Sequence, residues 1–254
     1  MLRKQRPAGC SRCLDAPPFP IDISMAFQPI ARLSTGEIFA HEALVRGANG
    51  ESAGEVFKHV TDDNLYQFDQ TCRVRAIKEA ALCGIDTDIS INFMPNAVYQ
   101  AETCIRRTLE AATEADFPLD RIIFEVTESD NIPDRPHLRN ILEYYKQRGF
   151  RTAIDDFGEG YAGLNLLAEF IPDLVKLDMA LVRSIDSDPN RRKIVKHMIR
   201  LCEDLGIEVI AEGIETFDER NTLRELGVDL YQGFLFARPA FQSKGKLDPS
   251  SLLD

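Results

Sequence analysis

The feature that most constrains this chain is a regular alternation of short β-like runs with helical patterns. The β-like runs span Ala26–Ile30, Glu37–Leu44, Asp88–Phe93, Ile122–Val126, Arg151–Ile154, Leu174–Leu177, Glu208–Ala211 and Leu230–Gly233. Helical patterns cover Ala53–Gly84, Asn96–Ala115, Arg135–Gly149, Tyr161–Glu169, Asn190–Leu205 and Phe217–Gly227, and several end at a glycine. Eight strands separated by helices in 254 residues predict an α/β fold, a (β/α)8 TIM-type barrel.

One connection departs from this pattern. Only Ala31–Gly36 separates the first two runs, which is too short for a parallel crossover but long enough for a hairpin. We therefore predict a modified barrel with an antiparallel first strand. Residues 1–24 carry four prolines and no periodicity, so we expect an N-terminal tail or linker there and one barrel domain over residues 25–254.

Charge and hydropathy limit the partners that the protein can have. The formal net charge is −11, which argues against a nucleic-acid polymer as a ligand. No uninterrupted apolar run exceeds four residues, whereas a spanning helix needs about 20. We expect a cytoplasmic protein without a membrane partner.

The six cysteines are too few for a disulfide framework in a chain of this length. Cys72, Cys83, Cys104 and Cys202 lie in helical patterns and are expected to be free thiols. Cys10 and Cys13 form a Cys-x-x-Cys pair, which is either half of a zinc site or a redox pair. No second Cys/His pair lies nearby, so a plain tail is favoured, and a site completed across a dimer stays open.

Polar residues recur in or just after the predicted strands. They are Glu42, Asn92, Glu125, Asp155, Asp156, Lys176, Glu212 and Gln232. In a barrel the carboxyl ends of the strands meet at one mouth, where chemistry takes place. Acids can also follow strands because helix N-termini favour them. That alternative does not explain Glu125 or Lys176, each of which lies between apolar neighbours, so we favour a functional site.

Five carboxylates in one mouth would repel each other unless cations neutralised them. Hard oxygen ligands suit Mg²⁺ or Mn²⁺. The adjacent pair Asp155 and Asp156 is typical of a site with two metal ions, such as those that cleave phosphate esters. Bound metal ions would also let an acidic protein accept an anionic substrate.

A second pattern suggests a different class of protein. Residues 158–163 match the dinucleotide fingerprint Gly-x-Gly-x-x-Gly, and Asp178 follows about 20 residues on. The match lies after the fifth predicted strand, however, and Asp155 and Asp156 at its head would repel a pyrophosphate. We keep an oxidoreductase as a minor alternative.

The motifs along the chain resemble the EAL-domain family of cyclic di-GMP phosphodiesterases over nearly all of residues 25–240, most closely the EAL domains that accompany blue-light flavin sensors. The resemblance is carried by Glu42-Ala43-Leu44-Val45-Arg46, Phe27-Gln28-Pro29-Ile30, Ile91-Asn92-Phe93, Phe124-Glu125-Val126-Thr127-Glu128, Ile154-Asp155-Asp156-Phe157-Gly158, Val175-Lys176-Leu177-Asp178, Ala211-Glu212-Gly213-Ile214-Glu215 and Gln232-Gly233-Phe234. A three-letter motif is weak evidence, but this ordered set is specific.

The resemblance implies that two ions, Mg²⁺ or Mn²⁺, activate a water that opens one phosphodiester bond of cyclic di-GMP and gives linear pGpG. It assigns Glu42, Asn92, Glu125 and Asp155 to one metal ion, and Asp155, Asp156 and Glu212 to the other. Lys176 would contact and orient the attacking water, so the resemblance gives Lys176, Glu212, Glu42 and Asp155 catalytic roles.

The resemblance also implies contacts with the substrate and a regulatory loop. Gln28, the Leu44 backbone, Arg46, Glu215 and Gln232 would bind or support the substrate, although Arg46 could instead pair with a surface acid. Glu128 would hold the loop after Asp156, and its alternative role is that of a helix N-terminal acid. Here Glu159, Ala162 and Gly163 replace residues that are usual in that loop, which leaves its regulation open.

The same resemblance suggests a homodimer formed around Tyr161–Glu169 and Asn190–Leu205, and a sensor partner acting in trans. The main competing hypothesis is a receptor domain that binds cyclic di-GMP without turnover. A receptor would be expected to have lost metal ligands, and this chain retains all of them.

Overall fold

The computed structural model describes residues 18–127, 134–160 and 163–253, and these form a closed eight-stranded barrel. The strands are β1 Ile23–Arg32, β2 Glu37–Gly47, β3 Asp88–Asn92, β4 Ile122–Thr127, β5 Arg151–Phe157, β6 Leu174–Leu177, β7 Glu208–Ala211 and β8 Leu230–Tyr231. A two-residue strand, β9 Ala240–Phe241, extends the sheet beside β1. The predicted barrel is confirmed, and β9 was not predicted.

The short first connection forms the predicted hairpin. β1 and β2 pair antiparallel from Ile23 opposite Gly47 to Arg32 opposite Glu37. β2 through β8 pair in parallel, and the barrel closes where β8 pairs antiparallel with β1. β1 begins at Ile23, so its first two residues fall within the stretch that the sequence assigned to the tail.

Helices surround the barrel. They are α1 Ala53–Phe57, α2 Leu65–Leu82, α3 Ala101–Cys104, α4 Arg106–Glu114, α5 Arg135–Gln147, α6 Gly163–Glu169, α7 Met179–Val182, α8 Pro189–Leu205 and α9 Phe217–Glu225. None of the helices in the described ranges is long and apolar enough to cross a bilayer.

Two predicted helices are interrupted, so those predictions were wrong in detail. The pattern Ala53–Gly84 divides into α1 and α2 because the Asn64 side chain builds a turn between them. Asn64 Oδ1 accepts from the Thr61 amide at 2.8 Å, and its Nδ2 donates to the His59 carbonyl at 2.9 Å. The pattern Asn96–Ala115 likewise divides into a 3₁₀ turn, α3 and α4.

The interior of the barrel is layered. One apolar layer is formed by Ile30, Ala40, Ile123, Ala153, Leu174, Ile210 and Leu230, all of them buried. Towards the amino ends of the strands, Phe39 lies between the guanidinium groups of Arg32 and Arg151, which are 4.9 and 5.3 Å from its ring centre. The barrel is therefore packed below this layer, and the space for chemistry lies above it.

Candidate active site

The predicted polar residues occupy the layer directly above the apolar layer. Side chains two residues apart on a strand point to the same face. Each apolar residue is two positions from a polar one in Ile30/Gln28, Ala40/Glu42, Ile123/Glu125, Ala153/Asp155, Leu174/Lys176, Ile210/Glu212 and Leu230/Gln232. The alternation of the strands thus places seven polar side chains at the mouth of the barrel.

Lys176 lies at the centre of this polar layer. Its Nζ is 3.5 Å from Glu42 Oε2, 3.1 Å from Glu125 Oε2, 3.0 Å from Asp155 Oδ1 and 2.9 Å from Glu212 Oε1. The lysine side chain is 1% exposed. One buried ammonium group therefore faces four carboxyl groups, more than it could neutralise if all of them were ionised.

Amide side chains orient Glu42. Asn92 Nδ2 donates to Glu42 Oε1 at 3.0 Å, and Gln232 Nε2 donates to Glu42 Oε2 at 2.6 Å. Gln28 Oε1 accepts from Gln232 Nε2 at 3.3 Å, and Gln28 Nε2 donates to the Ala237 carbonyl at 3.1 Å. Glu42 is consequently fixed from both sides, with Asn92 beside it.

A bulge in β5 explains how two consecutive aspartates face one site. Adjacent residues of a regular strand point to opposite faces, but the β5–β6 register shifts between Ile154 and Phe157. Asp156 has a φ of 52°, a left-handed conformation that is uncommon outside glycine. Its carboxylate therefore joins that of Asp155 on the mouth side.

The carboxylates form two groups that share Asp155. Glu42, Glu125 and Asp155 each offer an oxygen within 4.8 Å of the others, and Asp155, Asp156 and Glu212 do the same. Both groups offer only oxygen ligands, the type that Mg²⁺ and Mn²⁺ prefer. Among the described donors, none makes a hydrogen bond of good geometry to the buried Glu125 Oε1, and a cation would satisfy this oxygen. The residues present fit a site for divalent cations.

The electrostatics agree with a site that attracts cations. Burial raises the pKa of Glu125 to about 8, and the carboxylates of Glu42 and Asp155 add to this effect against the attraction of Lys176. Burial also raises the pKa of Glu212 well above its usual range, and that of Asp156 to about 6. Burial alone would lower the pKa of Lys176, but the surrounding carboxylates raise it instead. A bound cation would relieve this crowding.

A cleft of about 420 Å³ opens over the second carboxylate group. Gln28, Glu42, Asp156, Glu212, Glu215 and Gln232 line it, as do Met179 and Phe234, which are 53% and 51% exposed. Sequence reasoning missed Met179, whose place two residues after β6 could have indicated a mouth position. The cleft is large enough for part of a nucleotide-sized ligand.

Two of the predicted substrate residues lie elsewhere on the rim. Leu44 and Arg46 line a separate apolar cavity of about 310 Å³, together with Asn92. Arg46 Nη1 donates to the Val45 carbonyl at 2.7 Å and forms no ion pair with an acid in the described ranges. Burial lowers the pKa of Arg46, against the attraction of Glu42. Within the described residues, Arg46 therefore does not pair with a surface acid.

Glu215 lies exposed at the edge of the cleft, where its Oε1 is 3.1 Å from Arg183 Nη2. Buried Glu219, which sequence reasoning missed, accepts from the amides of Glu215 and Thr216 at 3.1 and 3.2 Å. The sequence signal that could have identified Glu219 is a capping box, in which Thr216 precedes the helix and Glu219 follows three residues later. Glu128, Cys10 and Cys13 fall outside the described residues.

Comparison with solved structures agrees with this geometry. A standalone EAL protein from Vibrio cholerae O395, solved in a form bound to c-di-GMP, superposes with a TM-score of 0.89 and 50% identity over 92% of this chain and 99% of that chain. BlrP1 from Klebsiella pneumoniae, solved with manganese and cyclic di-GMP, gives a TM-score of 0.84 and 34% identity over 91% of this chain and 59% of that chain.

Curated relatives and a family model complete the comparison. The blue light- and temperature-regulated antirepressor BluF of Escherichia coli is 30% identical over 86% of this chain, and the cyclic di-GMP phosphodiesterase RocR of Pseudomonas aeruginosa is 29% identical over 84%. The chain spans only 54% of BluF and 56% of RocR. The model of the EAL domain matches residues 21–239. This chain belongs to the EAL domain family.

Proposed function

We propose that this protein is a metal-dependent phosphodiesterase that hydrolyses cyclic di-GMP to linear pGpG. The observation that carries the proposal is the pair of carboxylate groups sharing Asp155, with Lys176 between them. The name of RocR and the nucleotide in the V. cholerae and K. pneumoniae structures support the same substrate. The cofactor would be two ions, Mg²⁺ or Mn²⁺.

Each part of the site has a task in this proposal. Glu42, Asn92, Glu125 and Asp155 would hold one ion, and Asp155, Asp156 and Glu212 the other. When bound, the two ions would activate the water that attacks phosphorus and neutralise the charge that develops on the phosphate oxygens. The chain's own residues orient these ligands: Gln232 and Asn92 fix Glu42, and the β5 bulge aims Asp156.

Lys176 would orient the attacking water and balance the carboxylates. Its Nζ lies between the two groups, at 3.1 Å from Glu125 and 2.9 Å from Glu212. A preorganised ammonium group in a site with little water stabilises developing negative charge without having to reorient. Arg46, Gln28 and the Leu44 backbone would contact the nucleotide, and Glu215 and Gln232 would support it.

A turnover assay tests the proposal. The purified protein is incubated with cyclic di-GMP and Mg²⁺ or Mn²⁺, with an EDTA control, and the nucleotides are separated by chromatography. We expect pGpG only with metal and no product from Glu42→Ala. Glu37→Ala is the matched control, because Glu37 is an exposed glutamate at the start of the same strand. Full hydrolysis by Glu42→Ala would refute the proposal, and tight binding without product would favour a receptor.

We further propose that the protein acts in the cytoplasm as a homodimer, with a sensor partner in trans. An apolar stripe on α8 supports the dimer. Ile194, Leu201 and Leu205 are 54%, 37% and 38% exposed, and with Met198 they follow the i, i+4, i+7, i+11 spacing of one helix face. Leu164 on α6 is 63% exposed. BluF, a relative named as blue light- and temperature-regulated, supports the proposal of a sensor partner.

A further inference from the structure

A buried ion pair lies on α2, away from the carboxylate groups of the site. Arg73 Nη2 donates to Asp69 Oδ2 at 2.5 Å, and Arg73 Nη1 donates to the Tyr145 hydroxyl at 3.3 Å. Asp69 and Arg73 are 3% and 0% exposed. Removing both charges from water is costly, and such pairs are often replaceable by apolar residues without loss of stability. Stability alone is therefore a weak reason for the pair.

The second oxygen of Asp69 reaches the end of β3. Asp69 Oδ1 accepts from the Met94 amide at 2.9 Å, two residues beyond Asn92. On the other side, the Phe93 amide donates to the Glu125 carbonyl at 3.0 Å. The segment that carries Asn92 is thus held by β4 through its backbone and by α2 through one side chain.

Packing is incomplete on one side of this segment. The apolar cavity of about 310 Å³ runs along it and is lined by Asp69, Asn92 and Met94. After Met94 the chain forms only a three-residue 3₁₀ turn before α3. A side chain facing a cavity loses the contacts that would otherwise fix it. The hydrogen bond from Met94 to Asp69 therefore fixes this segment on the side that faces the cavity.

We propose that Asp69 is a positioning residue for the metal centre. Its carboxylate holds the Met94 amide and so keeps the Asn92 amide 3.0 Å from Glu42, while Arg73 holds the Asp69 carboxylate in place. The inference rests on the proposed function, because it assigns Asp69 a task towards the ions that Glu42 and Asn92 would bind. Removing a residue that orients a metal ligand typically weakens metal binding by about 10–100-fold.

A matched pair of double variants isolates this hydrogen bond from the ion pair. Both carry Arg73→Met, so that neither leaves a buried cation unpaired. One adds Asp69→Asn, which keeps an oxygen acceptor for Met94, and the other adds Asp69→Leu, which removes the acceptor at similar volume. Asp69→Ala with Arg73→Met is a second acceptor-free variant in case leucine does not fit. Far-UV circular dichroism verifies the fold of each.

The readouts are Mn²⁺ affinity by calorimetry and hydrogen exchange at the Met94 amide. We expect the acceptor-free variants to bind Mn²⁺ about 10-fold more weakly than Asp69→Asn with Arg73→Met, and to exchange the Met94 proton faster. When Asn92→Ala is added to every variant, the difference in Mn²⁺ affinity should vanish, because the effect acts through Asn92.

Each other outcome contradicts the inference. Equal Mn²⁺ affinity in the folded matched pair would overturn it. A difference that persists in the Asn92→Ala background would show that Asp69 acts on another part of the site and would equally overturn it. If the unsubstituted protein binds no Mn²⁺, the proposed metal centre itself is refuted. If it binds Mn²⁺ and the matched pair does not differ, only the role of Asp69 is refuted, so the two failures are distinguishable.

Discussion

Replacing Lys176 with methionine should destabilise the metal-free protein strongly and in a pH-dependent manner. The substitution keeps the volume of the side chain but removes the ammonium group that faces four carboxylates at 2.9–3.5 Å. Leaving one partner of a buried ion pair uncompensated costs about 3–5 kcal/mol of the free energy of unfolding. For a chain of this size that corresponds to a fall in Tm of about 6–20 °C.

The sign of the pH dependence follows from Glu125. Its pKa rises from the ordinary 4.5 to about 8 in the folded protein, so the folded chain holds more protons than the unfolded chain between these values. The contribution of Glu125 to stability therefore decreases as pH rises from about 4.5 to 8. Without Lys176 the pKa would rise further. The loss caused by Lys176→Met should thus be larger at pH 8.5 than at pH 5.5.

Urea unfolding followed by far-UV circular dichroism measures this loss, since the chain has no tryptophan. Lys58→Met is the matched control: Lys58 pairs with Glu55 at 2.5 Å but is 66% exposed, so its loss should stay below about 1 kcal/mol. Saturating Mn²⁺, at about 100 times its Kd, should return about 2.7 kcal/mol to a variant that still binds it. Equal losses for the two lysine variants, or a loss that does not change with pH, would refute the reasoning.

Three further predictions concern proton release, backbone packing and association. The pKa values of Glu125 and Asp156 are raised to about 8 and 6, so Mn²⁺ should displace protons when it binds. The affinity of the protein for Mn²⁺ should therefore fall from pH 8.5 to pH 6, and the calorimetric heat of binding should depend on the ionisation of the buffer. A pH-independent affinity would contradict this. Gly233→Ala would place a Cβ 2.2 Å from the Ile214 carbonyl oxygen, so we expect a loss of about 1–3 kcal/mol in urea unfolding, and unchanged stability would count against the close approach. Leu201→Glu on α8 should shift the molar mass measured by light scattering from dimer to monomer without changing the far-UV circular dichroism, and an unchanged mass would refute the proposed interface.

Local spacing was sufficient to predict the barrel and the residues at its mouth. The six residues between the first two predicted runs left room only for a hairpin, and the charged residues within apolar runs, Glu125 and Lys176, indicated a buried polar site. The two-residue offset from the apolar layer explains why these predictions succeeded: in a strand, period two fixes which side chains share a face.

Features that depend on distant contacts were not predictable in the same way. The break between α1 and α2 comes from the Asn64 side chain, which does not alter the helical periodicity around it. The bulge that aims Asp156 into the site is a property of the β5–β6 register. Asp69 and Arg73 have the i, i+4 spacing of an ordinary surface pair, and only the packing of α2 against β3 and α5 shows that they are buried.

The most direct test of the account is the Mn²⁺ stoichiometry of single-carboxylate variants, measured by electron paramagnetic resonance of free Mn²⁺. Asp155 belongs to both groups, whereas Glu125 and Glu212 each belong to one. We predict two ions per chain for the unsubstituted protein, one for Glu125→Gln and for Glu212→Gln, and none with comparable affinity for Asp155→Asn. Two ions bound by Asp155→Asn as tightly as by the unsubstituted protein would contradict a centre built on a shared aspartate.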